Sequence, residues 1–316
     1  MGQKMIAYYE IKENRVTQST HDNAPVMIAS TIQEIEKEEI KNKFDLDEYD
    51  MNSIFDPDEV PRIDFSDERL LLIWKSPIKA TVSESIEFEI KVTGLILFRD
   101  QLMFVGETSE ISFMEREFRK TRDVSDVLLA FLLSKVRQFV GHLKAIRMIG
   151  SELEKKITVS MENKHLLQMF SLSESLVYYV DALEGNGAVL RKLDRMASQI
   201  GFQERHLEML EDIILENSQA ARQANIHSSV LSGLMDARGS IVNNNMNVLL
   251  KNLTLINIVF LPLNLIASIG GMSEWSMMTK GLDLRLSYAL FCLAILALGW
   301  CTWIFTKKIV DRPRNK

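Results

Sequence analysis

Two uncharged apolar runs, close together near the C-terminus, constrain this chain more than any other feature. Residues 253–269 are 17 positions without a charge, and residues 286–305 are 20. About 20 predominantly apolar residues in helical form cross the roughly 30 Å hydrocarbon core of a bilayer. Water is absent there, so a spanning segment must satisfy its own backbone hydrogen bonds, and both runs are expected to be helices. The first 250 residues are charged and mixed. The expectation is a large water-exposed domain followed by two transmembrane helices.

Charge divides in the same place. From Lys251 onward there are eight basic and three acidic residues, a net +5, whereas the whole chain carries −6, so residues 1–250 carry −11. An acidic domain next to a basic membrane end suits the concentration of cations and argues against nucleic-acid binding. The tail holds Lys307, Lys308, Arg312, Arg314 and Lys316 against Asp311, while the link at 270–285 holds two acids and two bases. The excess of basic residues places the tail in the cytosol and the link outside, with Trp300, Trp303 and Phe305 at the inner boundary and Trp275 at the outer one. The N-terminus, MGQKMIAYYE, has no basic-then-apolar leader. A multi-pass protein of the cell (inner) membrane with both termini cytoplasmic is therefore expected. Cys292 and Cys301 both lie inside the last run, so neither a disulfide framework nor a thiolate metal site is expected.

Prolines fall at 25, 57, 61, 77, 262 and 313, leaving none between 78 and 261. Residues 85–93 alternate, with Ile86, Phe88, Ile90 and Val92 on one face and Glu87, Glu89 and Lys91 on the other, which predicts a strand. Residues 95–98 and 102–105, separated by Arg99-Asp100-Gln101, predict a tight hairpin, and 70–74 a further strand. Between 124 and 153 the apolar spacing becomes helical through Leu128, Leu132, Val136, Phe139 and Leu143. An α/β cytoplasmic domain over 1–187 is expected. Gly185 and Gly187 read as a break, followed by a long packed helix whose apolar positions recur from 189 to 231. Gly201, Gly233 and Gly239 weaken that helix locally without needing to end it. Unbroken from 188 to 270 it would be roughly 120 Å long, too long to bury its apolar stripe in one small domain, so copies of the chain are its simplest partners. The expected boundaries are a stalk at 188–250, a first span at 251–271, an external loop at 272–285, a second span at 286–306 and a basic tail at 307–316.

The first span carries four polar side chains, Thr254, Asn257, Asn264 and Ser268. At about 100° per residue all four fall within an arc of roughly 80°. Asn243, Asn247 and Leu250 continue the same line toward the stalk, and Leu261 fills its gap. Amides inside a bilayer must face protein or water, and either interhelical packing or a water-filled path accounts for a single one. A continuous stripe with apolar interruptions is more economically a pore lining. Neutral amides offer hydrogen bonds to an ion's water shell without trapping its charge, which suits Mg²⁺, an ion that dehydrates reluctantly. Leu250 and Leu261 could close such a path by dewetting. The second span has hydroxyls only at Ser287, Tyr288 and Thr302 and is expected to face lipid.

The run Asn244-Asn245-Met246-Asn247, then Leu253-Thr254, Phe260-Leu261-Pro262-Leu263, Ile266-Ala267 and Gly271-Met272-Ser273, resembles the first membrane helix of the CorA magnesium transporters. Ser232-Gly233-Leu234-Met235-Asp236 resembles the same family's stalk. The resemblance is close over residues 205–275 and architectural over 1–180. It implies a funnel-shaped homopentamer in which one long helix per subunit continues into the pore. It also implies that a Gly-Met-Asn signature at the outer mouth captures the hydrated ion. Here Gly271 and Met272 are kept but the third position is Ser273, whose hydroxyl is shorter than an amide, with Glu274 beside it. By register, Asp212 falls at the stalk carboxylate that holds a regulatory divalent ion between subunits, although it also belongs to a solvated acidic face with Glu208, Glu211 and Glu216.

The chain has no phosphate-cradling loop and no nucleophile–base or metal-hydrolase motif, so an enzyme is not expected. The expected activity is Mg²⁺ influx, with Co²⁺ and Ni²⁺ as further ions, driven by membrane potential and gated by cytoplasmic metal, with no cofactor beyond those ions. Two readings stay open beside it: a zinc or other transition-metal transporter, proton-coupled or not, and a non-conducting membrane-anchored metal sensor. The five scattered histidines, at 21, 142, 165, 206 and 227, give zinc no cluster.

Overall fold

A computed structural model describes residues 6–30, 34–44, 46–66, 69–78, 81–82, 86–106, 111–159, 163–272, 277, 281 and 283–310. Two compact units meet in sequence at Met235 and Asp236.

The first unit is built on a seven-stranded sheet. Its strands are β1 (Ile6–Lys12), β2 (Arg15–Ser19), β3 (Val26–Ala29), β4 (Arg62–Ser66), β5 (Arg69–Pro77), β8 (Ile90–Phe98) and β9 (Gln101–Gly106). They lie in the order β2-β1-β3-β9-β8-β5-β4, and only the β3–β9 pair is parallel. The short β6 (Thr81–Val82) and β7 (Ile86–Glu87) pair separately. The central strands are apolar along both faces because helices cover both. Leu70, Leu72, Trp74, Leu95, Leu97, Leu102 and Phe104 pack against α3 (Val124–Val159), α4 (Asn163–Ile200) and the start of α5 (Glu204–Gly270). The alternate residues Leu71, Ile73, Ile96, Met103 and Val105 pack against α1 (Glu34–Lys43) and α2 (Glu48–Phe55). The expected hairpin is present: Phe98 pairs with Gln101, and the turn residue Arg99 adopts φ 52°. The strand expected over 85–93 is interrupted, because β7 ends at Glu87 and β8 begins at Ile90, leaving Phe88 buried between them.

A second apolar cluster runs along the helices. Phe139, Leu143, Ile146 and Leu153 of α3 meet Leu172, Leu176, Tyr179 and Leu183 of α4 and Ala220, Ala224 and Leu231 of α5. Tyr179 is fully buried, so burial pushes its phenol well above the usual range, and its hydroxyl lies 2.7 Å from His142 Nδ1. Asn186 of α4 has no exposed surface. Its carbonyl accepts from Lys75 N at 3.1 Å and its amide donates to Lys75 O at 2.8 Å, so one side chain supplies the end of β5 with a strand-like partner.

The long helix begins later than expected. Gly185 and Gly187 lie inside α4, and the chain breaks instead at Gly201, with φ 83°. The physical reason is a left-handed helix stop: Phe202 N bonds to Ala197 O at 2.9 Å across Gly201, satisfying a carbonyl the helix leaves open. The boundary at 187/188 is therefore corrected to the turn between Ile200 and Glu204. Gly233 and Gly239 remain inside α5.

The second unit holds the end of α5 and the last helix, α6 (Leu284–Val310). Both contain a segment long and apolar enough to cross a membrane. The helix of the second span starts two residues earlier than position 286 and continues four beyond position 306.

Candidate functional site: the polar face of the first membrane helix

Within the second unit, burial separates two sides of α5. Val259 and Gly270 are buried, and Leu255, Leu263 and Ile266 are half-buried. At about 100° per residue these five fall within an arc of roughly 80°. They meet α6, where Ser287 is buried and Phe291, Ile295, Gly299 and Thr302 are half-buried at one-turn intervals. Leu263 Cδ1 lies 3.2 Å from the place a Cβ on Gly299 would take, and the Phe291 ring stands where a Cβ on Gly270 would be.

The polar stripe lies on the opposite side. Thr254, Asn257, Asn264 and Ser268 centre about 175° from the buried face by the same angular count. All four are exposed, as are Asn243, Asn247, Leu250 and Leu261. One helix therefore carries all eight positions, on the side turned away from α6. Thr254 Oγ1 donates to Leu250 O at 2.8 Å, which ties its proton to the helix and leaves lone pairs directed outward. Pro262 sits inside α5 and removes one backbone donor. The Asn side chains keep two donors and an acceptor each, so a ring of them can hydrogen-bond water of either orientation.

At the end of α5, Gly271 N bonds to Ala267 O at 3.1 Å and to Ser268 O at 3.2 Å, and Met272 N bonds to Ile269 O at 3.1 Å. Gly271 and Met272 are exposed. Ser273, Glu274 and Trp275 lie outside the described residues.

Asp212 is in the other unit, exposed on α5 beside the buried Leu210 and Ile213. Glu208 and Glu211 are exposed nearby. Glu216 is instead committed within the fold: Arg137 Nη2 donates to it at 3.0 Å and Nε at 3.2 Å, while Arg137 Nη1 donates to Glu117 at 2.7 Å. Those two carboxylates raise the Arg137 guanidinium further above its already high range. Burial works against ionisation of Glu117, but the bonds from Arg137 hold its carboxyl below the usual range.

One cluster escapes linear reading because its members are 80 residues apart in sequence. His206 Nε2 lies 3.1 Å from Asp126 Oδ1 and 3.4 Å from Asp123 Oδ1, a grouping with the donor set of a metal site. The hydrogen bonds argue for a different role. His206 Nδ1 accepts from Gln203 N at 3.1 Å, and Arg205 Nε donates toward Nε2 at 3.3 Å, so both ring nitrogens already face donors within the fold. A metal at Nε2 would have to displace the Arg205 contact while Nδ1 still faces a donor, the reverse of the usual outer-shell arrangement, in which the second nitrogen donates. The Arg205 guanidinium also pairs with both acids. Asp123 caps α3 by accepting from Asp126 N at 2.8 Å. The cluster thus joins the N-termini of α3 and α5, where helix dipoles favour carboxylates.

Comparison with known proteins bears on the family and the fold. The family described as CorA-like Mg2+ transporter protein matches residues 27–308. The cobalt/magnesium transport protein CorA of Methanocaldococcus jannaschii is 25% identical over 245 residues, 74% of this chain and 75% of that one. The complete structure of the magnesium transporter from the same organism superposes with a TM-score of 0.72 at 18% identity, covering 99% of both chains. Full-length CmaX gives 0.72 at 13% identity over 97% of this chain and 98% of that one. The cytoplasmic domain of ZntB from Vibrio parahaemolyticus gives 0.59 at 10% identity over 75% of this chain and 98% of that one. The two full-length likenesses extend the shared fold through α6, and the match over 27–308 shows that the chain belongs to the CorA-like Mg2+ transporter family.

Proposed function

We propose that copies of this chain, five in number, surround a water-filled path lined by α5 and conduct Mg²⁺ into the cytosol. The observation that carries this reading is the placement of the stripe. Asn257, Asn264, Ser268 and Thr254 face away from α6, so in a bilayer they need other copies or water. A polar face turned to lipid would be costly, and α6 already covers the opposite face. Rings of neutral amides suit an ion that keeps most of its water, and Leu250 and Leu261 supply apolar narrowing. Co²⁺ and Ni²⁺ belong to the same reading, as the name of the archaeal relative supports for cobalt.

Gly271, Met272, Ser273 and Glu274 form the outer mouth in this reading. Ser273 replaces an amide with a hydroxyl, and Glu274 adds a negative ring. The basic tail keeps both termini in the cytosol. Divalent ions bridging Asp212 to a neighbouring subunit hold the path shut, and their loss opens it. A non-conducting sensor would bind metal without needing the stripe. The discriminating experiment is Asn257→Leu with Asn264→Leu. Divalent uptake into proteoliposomes should fall at least tenfold while the oligomer persists, since each amide ring is replaced by an apolar one. Unchanged uptake would rule out a path along this face.

A further inference from the structure

The seam between α5 and α6 is not uniform along its length. Leu263 against Gly299 and Phe291 against Gly270 set an antiparallel register that brings Ile266 level with Ile295 and Val259 level with Thr302. Toward the inner end, the flexible tip of Leu263 stands 3.2 Å from the place of the missing Gly299 Cβ, close to it without occupying it. At the outer end a flat ring occupies the very place of the missing Gly270 Cβ, and Gly270 is buried beneath it. The next residues, Gly271 and Met272, begin the signature, and Gly271 N is shared between two carbonyls of the same last turn. The last turn of α5 is therefore pinned by one aromatic side chain immediately before the mouth. Past Gly270 the direction of the chain is carried by the bonds of Gly271 N to Ala267 O and Ser268 O and of Met272 N to Ile269 O, all anchored in that same last turn.

We infer that Phe291 of the second span is the positioning residue of the outer mouth, acting on Gly271 and Met272 through Gly270. It touches no ion. It sets how far the last turn of α5 stands from α6, and so the radius at which the signature is presented by each copy. This rests on the reading of α5 as the path-lining helix. A mouth that selects a hydrated ion depends on donor placement to within a fraction of an ångström, so a small displacement costs capture more than throughput. Leu263, one heptad inward on the same seam, has no such effect because the adaptable aliphatic contact lies away from the signature.

The test is Mg²⁺ uptake by the full chain in proteoliposomes, with assembled oligomer quantified for every variant. Phe291→Ala and Gly270→Ala should each raise KM about tenfold and leave the maximal rate within about twofold. The pair Gly270→Ala with Phe291→Leu should return KM to near the wild-type value, because the new methyl fills space the ring has left. Leu263→Ala should leave KM unchanged. If Phe291→Ala does not assemble, Phe291→Leu carries the test, with a smaller rise in KM. An unchanged KM in assembled Phe291 variants, or an additive double variant, overturns the inference while the transport function stands. A parallel fall in rate for Phe291→Ala and Leu263→Ala also overturns it, since that is what a merely structural seam would give. A wild type that admits no divalent ion defeats the functional reading itself and this inference with it.

Discussion

Gly185 lies where α4 crosses the segment leading into β4, and a Cβ there would stand 2.8 Å from Pro61 Cγ and 3.0 Å from its Cδ. Neither the proline ring nor a helix backbone yields easily. Gly185→Ala should therefore cost about 1–3 kcal/mol, the usual penalty for overfilling a packed contact. Thermal unfolding of the detergent-purified chain should show it as a lower midpoint, whereas a midpoint equal to or above wild type would show that the contact relaxes. Read as sequence, Gly185 and Gly187 are indistinguishable from a helix break, because a glycine needed for close approach and one needed for φ look the same. Side chains whose role depends on distant partners were equally hidden. Asn186 serves β5 across 111 residues, and His206 meets Asp123 and Asp126 across the fold. The polar stripe was legible because four residues on one helix share a face through geometry that the helix alone dictates.

At the scale of elements, the turn between α4 and α5 is set by Gly201. Nothing lies within 4 Å of a Cβ built there, so space is not the constraint; φ 83° is. Gly201→Ala should destabilise by about 1–2 kcal/mol through backbone strain alone. Gly201→Asn, which tolerates that region better, should cost less. Equal midpoints for Ala, Asn and Gly by thermal unfolding would show that the stop is not enforced by this residue. Alternation and helical spacing predicted the hairpin β8–β9, the strand β5 and helix α3, since each is amphipathic or continuously apolar over its own length. Sheet order was not legible: the parallel pairing of β3 with β9 joins segments 76 residues apart in register and leaves no local trace.

For the whole molecule, the division of charge and the apolar runs were legible because both are bulk properties of long segments. A divalent ion entering a negative-inside compartment gains about 4.6 kcal/mol per 100 mV, so influx needs selection and closure rather than chemical fuel. Family membership accounts for divalent-cation transport, while the proposal of Mg²⁺ as its ion rests on the neutral amides Asn257 and Asn264 of α5. The most direct measurement is ion uptake by the purified chain in sealed liposomes with an imposed inside-negative potential. Mg²⁺, Co²⁺, Ni²⁺ and Zn²⁺ are offered separately, with a proton-sensitive dye inside. The account predicts Mg²⁺ entry that rises with the potential and moves no protons. Zn²⁺ entry coupled to proton movement, or no entry of any ion into liposomes bearing the folded oligomer, would contradict it.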